Sequence, residues 1–170
     1  MASSSTLPDR PAVDATDAVE AVGLTRVHVD GRRELRSLDN VSLTVAAGEV
    51  VAVMGPSGSG KTTLLHLLGG LDRPDAGRVC IGGEDWATLR GADRARFRRR
   101  TCGFVVQGQS LLPQATAAEN VEVPLLLDAA AARGAGIVLA THDPVAATHA
   151  ARIVRLRSGR LDPVGTGGAE

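Results

Sequence analysis

The run Gly55-Pro56-Ser57-Gly58-Ser59-Gly60-Lys61-Thr62-Thr63 holds the only lysine of a 170-residue chain. The other eighteen of its nineteen Lys and Arg residues are arginine. Residues 55–62 fit the spacing GxxxxGK[ST] of a loop that cradles phosphates. The glycines let the backbone turn so that successive N–H groups face an anion. A helix starting behind the loop adds partial positive charge. Lys61 reaches the outer phosphates as a point charge, and the Thr62 hydroxyl is placed to ligate Mg²⁺. At ordinary residue frequencies, a chance match somewhere in the chain has a probability of about one in a hundred or less.

Two other polar positions suit the same chemistry. Gln107 ends the apolar run CGFVVQ, and Thr141 and His142 close IVLATH. Open α/β sheets bind ligands at the C-terminal ends of their strands. A polar residue there, beside a phosphate loop, is placed to touch Mg²⁺ or the terminal phosphate. Each is weak alone, since a single histidine is most often an ordinary surface residue. Cys80 and Cys102 have neither CxxC spacing nor a histidine pair, so they read as reduced, buried thiols rather than zinc ligands.

These residues need elements to hold them. Residues 18–30 and 40–49 carry β-branched residues in rough alternation and predict antiparallel strands. EVVAVMG (49–55) reads as a strand buried on both faces. Residues 61–71 predict a helix with Leu64, Leu65, Leu67 and Leu68 inward and Gly69-Gly70 ending it. Strands follow at 77–83, 102–107 and 136–142. Helices are predicted at 90–100, 117–128 and 143–152, and a terminal hairpin at 152–161. This alternation implies an α/β fold: a mainly parallel sheet with flanking helices plus an N-terminal antiparallel part. One domain, 18–161, is expected between disordered tails at 1–17 and 162–170, where Ser, Thr, Pro, Asp and Gly collect.

Composition narrows the partners. Nineteen acidic residues balance nineteen basic ones, which gives no electrostatic reason to expect nucleic acid. Apolar residues make up 44%, but aromatics only 2%, so the core must come from Val, Leu, Ile and Ala. No stretch reaches the length of a membrane span, and the start has no charged-then-apolar secretory pattern. The basic run RARFRRR (94–100) reads as a solvated helix face.

The order GPSGSGKTTLLHLLGGLDRPDAG, GFVVQGQSLLP with AENV, LATHDP, then RIVRLRSGRL resembles the ATP-binding subunits of ABC transporters, a family of P-loop NTPases. The detailed wording is similar to the lipoprotein-release and macrolide-export type. The resemblance runs from about residue 20 to 127 and again from about 132 to 161. It implies ATP and Mg²⁺ as ligands, held by Gly55–Thr63 as the Walker A loop. It implies Gln107 as the Q-loop glutamine, a Mg²⁺ contact, and His142 as the switch histidine. His28 falls where the family stacks an aromatic residue on adenine. A membrane permease is implied as partner, with TAAENVEVPLLL (116–127) as a docking segment. The implied location is the cytoplasmic face of the cell membrane.

The sequence departs from that pattern in one place. PLLLDAAAARGAGIVLATHDP joins two segments that several dozen residues separate in the family. Relative to it the domain is shortened near 128–131, and the helical subdomain is largely missing. No LSGGQ-like string and no strand ending in Asp-Glu occurs in the chain. By the family's topology a central strand is lost, worth about 7–15 kcal/mol if five apolar residues were buried. That is comparable to a whole domain's stability of about 5–15 kcal/mol. Either the 102–107 strand slides against 136–142 or it stands apart with a gap and the chain is marginal alone; the 49–55 and 136–142 strands are expected to be adjacent and parallel. ATP binding with poor hydrolysis is the first expectation, with an intact sister subunit as a possible partner. A small phosphoryl-transfer kinase and a non-enzymatic nucleotide-binding remnant are the alternatives.

Overall fold

A computed structural model of the protein describes residues 17–30, 33–102, 130–142, 144–148 and 150–162. Gln107, the rest of the predicted 102–107 strand beyond Cys102, the predicted 117–128 helix, and the predicted tails apart from Asp17 and Asp162 lie outside these residues.

Strand β1 (Asp17–Asp30) and strand β2 (Arg33–Ala46) form a long antiparallel pair. Along β2, Val41, Leu43 and Val45 are buried while Ser42 and Thr44 are exposed, the period-two pattern of a half-covered sheet. Strand β3 (Val50–Met54) is buried along its first four residues and leads to helix α1 (Lys61–Leu68). Strand β4 (Ala76–Ile81) then pairs antiparallel with β1, and the two-residue β5 (Glu84–Asp85) pairs with β4. The first sheet therefore has the order β2-β1-β4-β5. The antiparallel part is thus larger than the sequence predicts, because it takes in the 77–83 strand.

Helix α2 (Gly91–Thr101) is followed in the second sheet by β6 (Ile137–Thr141), the short helix α3 (Pro144–Ala147), β7 (Arg152–Arg157) and β8 (Arg160–Leu161). The order of this sheet is β6-β3-β7-β8, with β3 parallel to both neighbours. The expected parallel adjacency of 49–55 and 136–142 is present, in the register Val50↔Ile137 through Met54↔Thr141; the expected closure of 102–107 against 136–142 lies outside the described residues.

One core joins the sheets. Leu24, Leu38 and Val45 meet Val51, Val53, Leu156 and the α1 leucines Leu64 and Leu67. Leu64 is fully enclosed, so Leu64→Ala is expected to cost about 2–5 kcal/mol in urea unfolding.

A carboxylate ties the second sheet to the first. Glu49 accepts the Ala46 N–H at 2.9 Å and the Arg152 Nε–H at 2.9 Å, and Arg152 also donates to the Thr44 carbonyl at 2.6 Å. The Arg152 hydrogen bond, then the Ala46 N–H, hold the Glu49 carboxyl below its usual range against the opposing effect of burial. A depressed folded-state pKa gives stability that is present above the unfolded carboxylate value, near 4.5, and lost as pH falls through the folded value. Glu49→Gln is expected to lower stability by about 1–2 kcal/mol at neutral pH. Its unfolding free energy should also fall less steeply than the parent's below about pH 4.5.

Three local expectations need correction. The 143–152 helix stops at Ala147, because the Ala151 N–H is captured by the Val50 carbonyl at 2.8 Å and the chain enters the sheet. Leu65 is half-exposed, while Leu64, Leu67 and Leu68 face the core. Cys80 is buried but Cys102 is only half-buried, and burial raises both thiols above their ordinary pKa.

Candidate functional site

The phosphate loop is set between the most buried strand and a helix. β3 ends at Met54, the loop runs through 55–60, and α1 begins at Lys61. Gly58 and Gly60 have φ of 75° and 105°, a region that favours glycine. The Ser59 N–H returns to the Pro56 carbonyl at 3.2 Å, and the Leu64 N–H closes the first helical turn on the Gly60 carbonyl at 2.9 Å. The N–H groups of Lys61, Thr62 and Thr63 precede that bond, so helix geometry leaves them without intrahelical acceptors.

Neighbouring strands support the loop from below. A Cβ on Gly55 would stand 2.1 Å from the Leu156 carbonyl oxygen of β7. A Cβ on Gly60 would stand 2.3 Å from the Ser37 carbonyl oxygen of β2. The turn between β7 and β8 donates its Gly159 N–H to the Ser59 carbonyl at 3.0 Å, and the Gly159 carbonyl accepts from Asp39 at 2.8 Å. Asp39 in turn accepts from Arg36 at 2.8 Å and from Arg160, and these hydrogen bonds hold its carboxyl below the usual range. Gly60→Ala combines a backbone clash with an unfavourable φ and is expected to cost about 2–4 kcal/mol, read by denaturant unfolding.

Two polar side chains of the loop stand out. The Ser59 hydroxyl is buried beneath Gly55, on the β7 side, and has no hydrogen-bond partner among the described residues. The Lys61 ammonium donates to the carbonyls of Gly55 at 2.7 Å and Pro56 at 2.8 Å. Both acceptors are neutral, and among the described residues no carboxylate forms an ion pair with Lys61, so its charge is not cancelled locally. The exposed Thr62 sits beside it. No group of three His, Cys, Asp or Glu that could hold a metal occurs among the described residues. A Mg²⁺ at Thr62 would take oxygen ligands, phosphate oxygens included, as this hard cation prefers.

Other sequence-predicted residues fall in different places. The register Met54↔Thr141 carries His142 to the level of Gly55, beside the start of the loop, where its ring is exposed. His28 is exposed near the tip of the β1–β2 pair, opposite Leu35. The same strand pair touches the loop through Ser37 and Leu38. Ser59 was expected only as one member of the loop, and its buried hydroxyl has no signal in sequence. The prop at Gly159 is likewise invisible, because it joins residues one hundred positions apart.

The far end of α1 is braced by the only tryptophan. Gly70 packs beneath the Trp86 ring, where a Cβ would stand 2.8 Å away. Trp86 Nε1–H donates to the Leu68 carbonyl at 2.9 Å and its ring meets Phe97 edge-on at 5.3 Å. A cleft of about 650 Å³ lies between the two sheets near Asp39, Thr44 and Arg152, and no phosphate-loop residue lines it.

Comparison with known proteins agrees with this geometry. The family model described as "ABC transporter" matches residues 38–164. The lipoprotein-releasing system ATP-binding protein LolD of Xanthomonas euvesicatoria pv. vesicatoria (strain 85-10) is 44% identical over 128 residues, 74% of this chain and 52% of the relative. LolD of Anaeromyxobacter dehalogenans (strain 2CP-C) is 52% identical over 120 residues, 71% of this chain and 48% of the relative. The chain thus spans about half the length of the curated relatives it matches. The dimeric structure of MJ0796, a bacterial ABC transporter cassette, superposes with a TM-score of 0.69 at 24% identity, over 85% of this chain and 97% of that one. That likeness establishes the fold.

Proposed function

Since the chain belongs to the ABC transporter family, we propose that it binds Mg-ATP through Gly55–Thr63 and serves as the ATP-binding subunit of a transporter. The observation that carries this reading is the Lys61 ammonium, held only by neutral carbonyls, in a glycine loop that opens onto the N-terminus of α1.

Each residue then has a role. The backbone N–H groups of the loop and of the α1 start wrap the phosphates. Lys61 moves from two neutral carbonyls to the outer phosphates, exchanging weak acceptors for charged ones. Thr62 and Gln107 would hold Mg²⁺, which supplies charge neutralisation at the phosphate oxygens. His142, level with the loop start, would contact the terminal phosphate. His28 would rest against adenine, with less stacking surface than a tyrosine. A membrane permease is the partner, and the cytoplasmic face of the membrane is the location. Among the described residues no helix is long and apolar enough to cross a membrane.

A kinase reading needs a mobile arginine lid. Arg94 and Arg98 are instead tied to the carbonyls of Gly70 and Asp72 at 3.1–3.3 Å, which speaks against it.

A ligand bound only by the native state stabilises it by about 2.7 kcal/mol at a hundredfold excess over Kd. Saturating Mg-ATP is therefore expected to raise the melting temperature by roughly 5–10 °C. An unchanged melting curve at millimolar Mg-ATP would remove the reading.

A further inference from the structure

The turn between β7 and β8 is tied to β2 at one residue, Asp39, in two ways. The Asp39 N–H donates to the Gly159 carbonyl at 2.8 Å. The Asp39 carboxylate accepts from the Nε–H of Arg160, the next residue along, at 2.7 Å, and from the Arg36 guanidinium at 2.8 Å. The turn presses close on β2, since a Cβ on Gly159 would stand 2.9 Å from the Ser37 carbonyl oxygen. From this seat the Gly159 N–H donates to the Ser59 carbonyl at 3.0 Å. A trans peptide is planar, so the Ser59 carbonyl and the Gly60 N–H of the same unit point in opposite directions. Gly159 holds the carbonyl toward the turn and thereby sends the Gly60 N–H to the other side. Among the described residues that N–H has no acceptor. It directly precedes the N–H groups of Lys61, Thr62 and Thr63, so the four form one run of donors at the start of α1.

We propose that Asp39 and Arg160 are positioning residues for the nucleotide: they seat the β7–β8 turn so that Gly159 fixes the Ser59–Gly60 peptide and aims the Gly60 N–H at the phosphates. Both act through Gly159 rather than on the ligand. The inference rests on the Mg-ATP reading above. A loop with glycine at 58 and 60 has wide backbone freedom unless something holds it. Holding it in the binding conformation beforehand strengthens binding, because the cost of ordering is already met. The carboxylate is the part of the seat that can be removed without unfolding the chain. The Arg36 and Arg160 side chains are 59% and 73% exposed, and ion pairs so placed add little to stability.

Equilibrium binding of Mg-ATP to the full chain tests this, with urea unfolding measured alongside. Asp39→Asn and Arg160→Gln are each expected to weaken binding by about three- to tenfold while the unfolding curve barely shifts. Arg160→Gln alters an exposed side chain, so it carries the test even where Asp39→Asn does not fold. Asp39→Glu keeps the charge and should bind closer to the parent than Asp39→Asn does. Arg157→Gln breaks a different ion pair of the same hairpin, with Asp162 at 3.3 Å, and should bind as the parent does. Hydrogen exchange at the Gly159 amide, read without nucleotide, should quicken in Arg160→Gln and not in Arg157→Gln. An unchanged affinity in the folded Arg160→Gln variant would overturn the inference, as would an equal loss in Arg157→Gln or a Gly159 amide that does not respond. A parent that binds no Mg-ATP would overturn it together with the reading it rests on, which separates the two failures.

Discussion

Lys61→Ala is expected to weaken Mg-ATP binding by roughly 30- to 150-fold, with little loss of fold stability. The estimate follows from about 2–3 kcal/mol for hydrogen bonds to a charged group. Two features argue for the upper end. Lys61 is the only lysine, so no neighbour of its kind substitutes for it. It also carries the positive charge nearest the loop's own carbonyls, donating to Gly55 and Pro56. Stability should change little, since those two bonds join an ammonium to neutral acceptors close to solvent. The check is equilibrium binding for parent and variant, with matched denaturation curves. A variant that binds ATP like the parent would mean that the loop does not hold the phosphates.

Phosphate release from ATP by the isolated chain is expected to stay at background, and Mg-ATP alone should not drive it into a homodimer. General-base help is typically worth 10²–10⁴-fold, and no strand ending in Asp-Glu occurs in the sequence. The resemblance implies that a second subunit closes each ATP with an LSGGQ segment, and this chain has none. Two copies would bring two phosphate loops face to face and leave the charges between them unpaired and partly desolvated, which is costly. An intact sister subunit offers its own signature to this chain's loop and would complete one site of two. Size-exclusion runs with Mg-ATP, alone and with such a subunit, read this out. A mixed dimer without a homodimer is the expected result. Ordinary transporter turnover by a contaminant-free sample would contradict the account and would direct mutation first to Asp128 and Asp143.

Much of this architecture was legible because local pattern and tertiary role coincide. VVAVM (50–54) is apolar throughout and becomes an inner strand of its sheet, and GxxxxGK[ST] becomes a loop between that strand and α1. Three of the four α1 leucines and the terminal hairpin followed their periodicity and turn residues. Long-range competition decided the rest. Strand β4 follows a helix, as in a parallel unit, yet pairs antiparallel with β1. The 143–152 segment favours helix by composition, but the β3 edge takes its backbone at Ala151. The supports of the loop at Ser37, Leu156 and Gly159 are main-chain contacts, which side-chain patterns do not encode. His142 could be placed only when the β3–β6 register set it level with Gly55.

The most direct test of the phosphate loop is a calorimetric titration of the full chain with Mg-ATP, repeated with inorganic triphosphate as competitor. The proposed grip lies with Lys61 and the loop N–H groups, and His28, proposed to rest against adenine, is exposed. One saturable site per chain is therefore expected, and triphosphate should displace ATP from it. Absence of a saturable site, or ATP binding that triphosphate does not displace, would contradict the account.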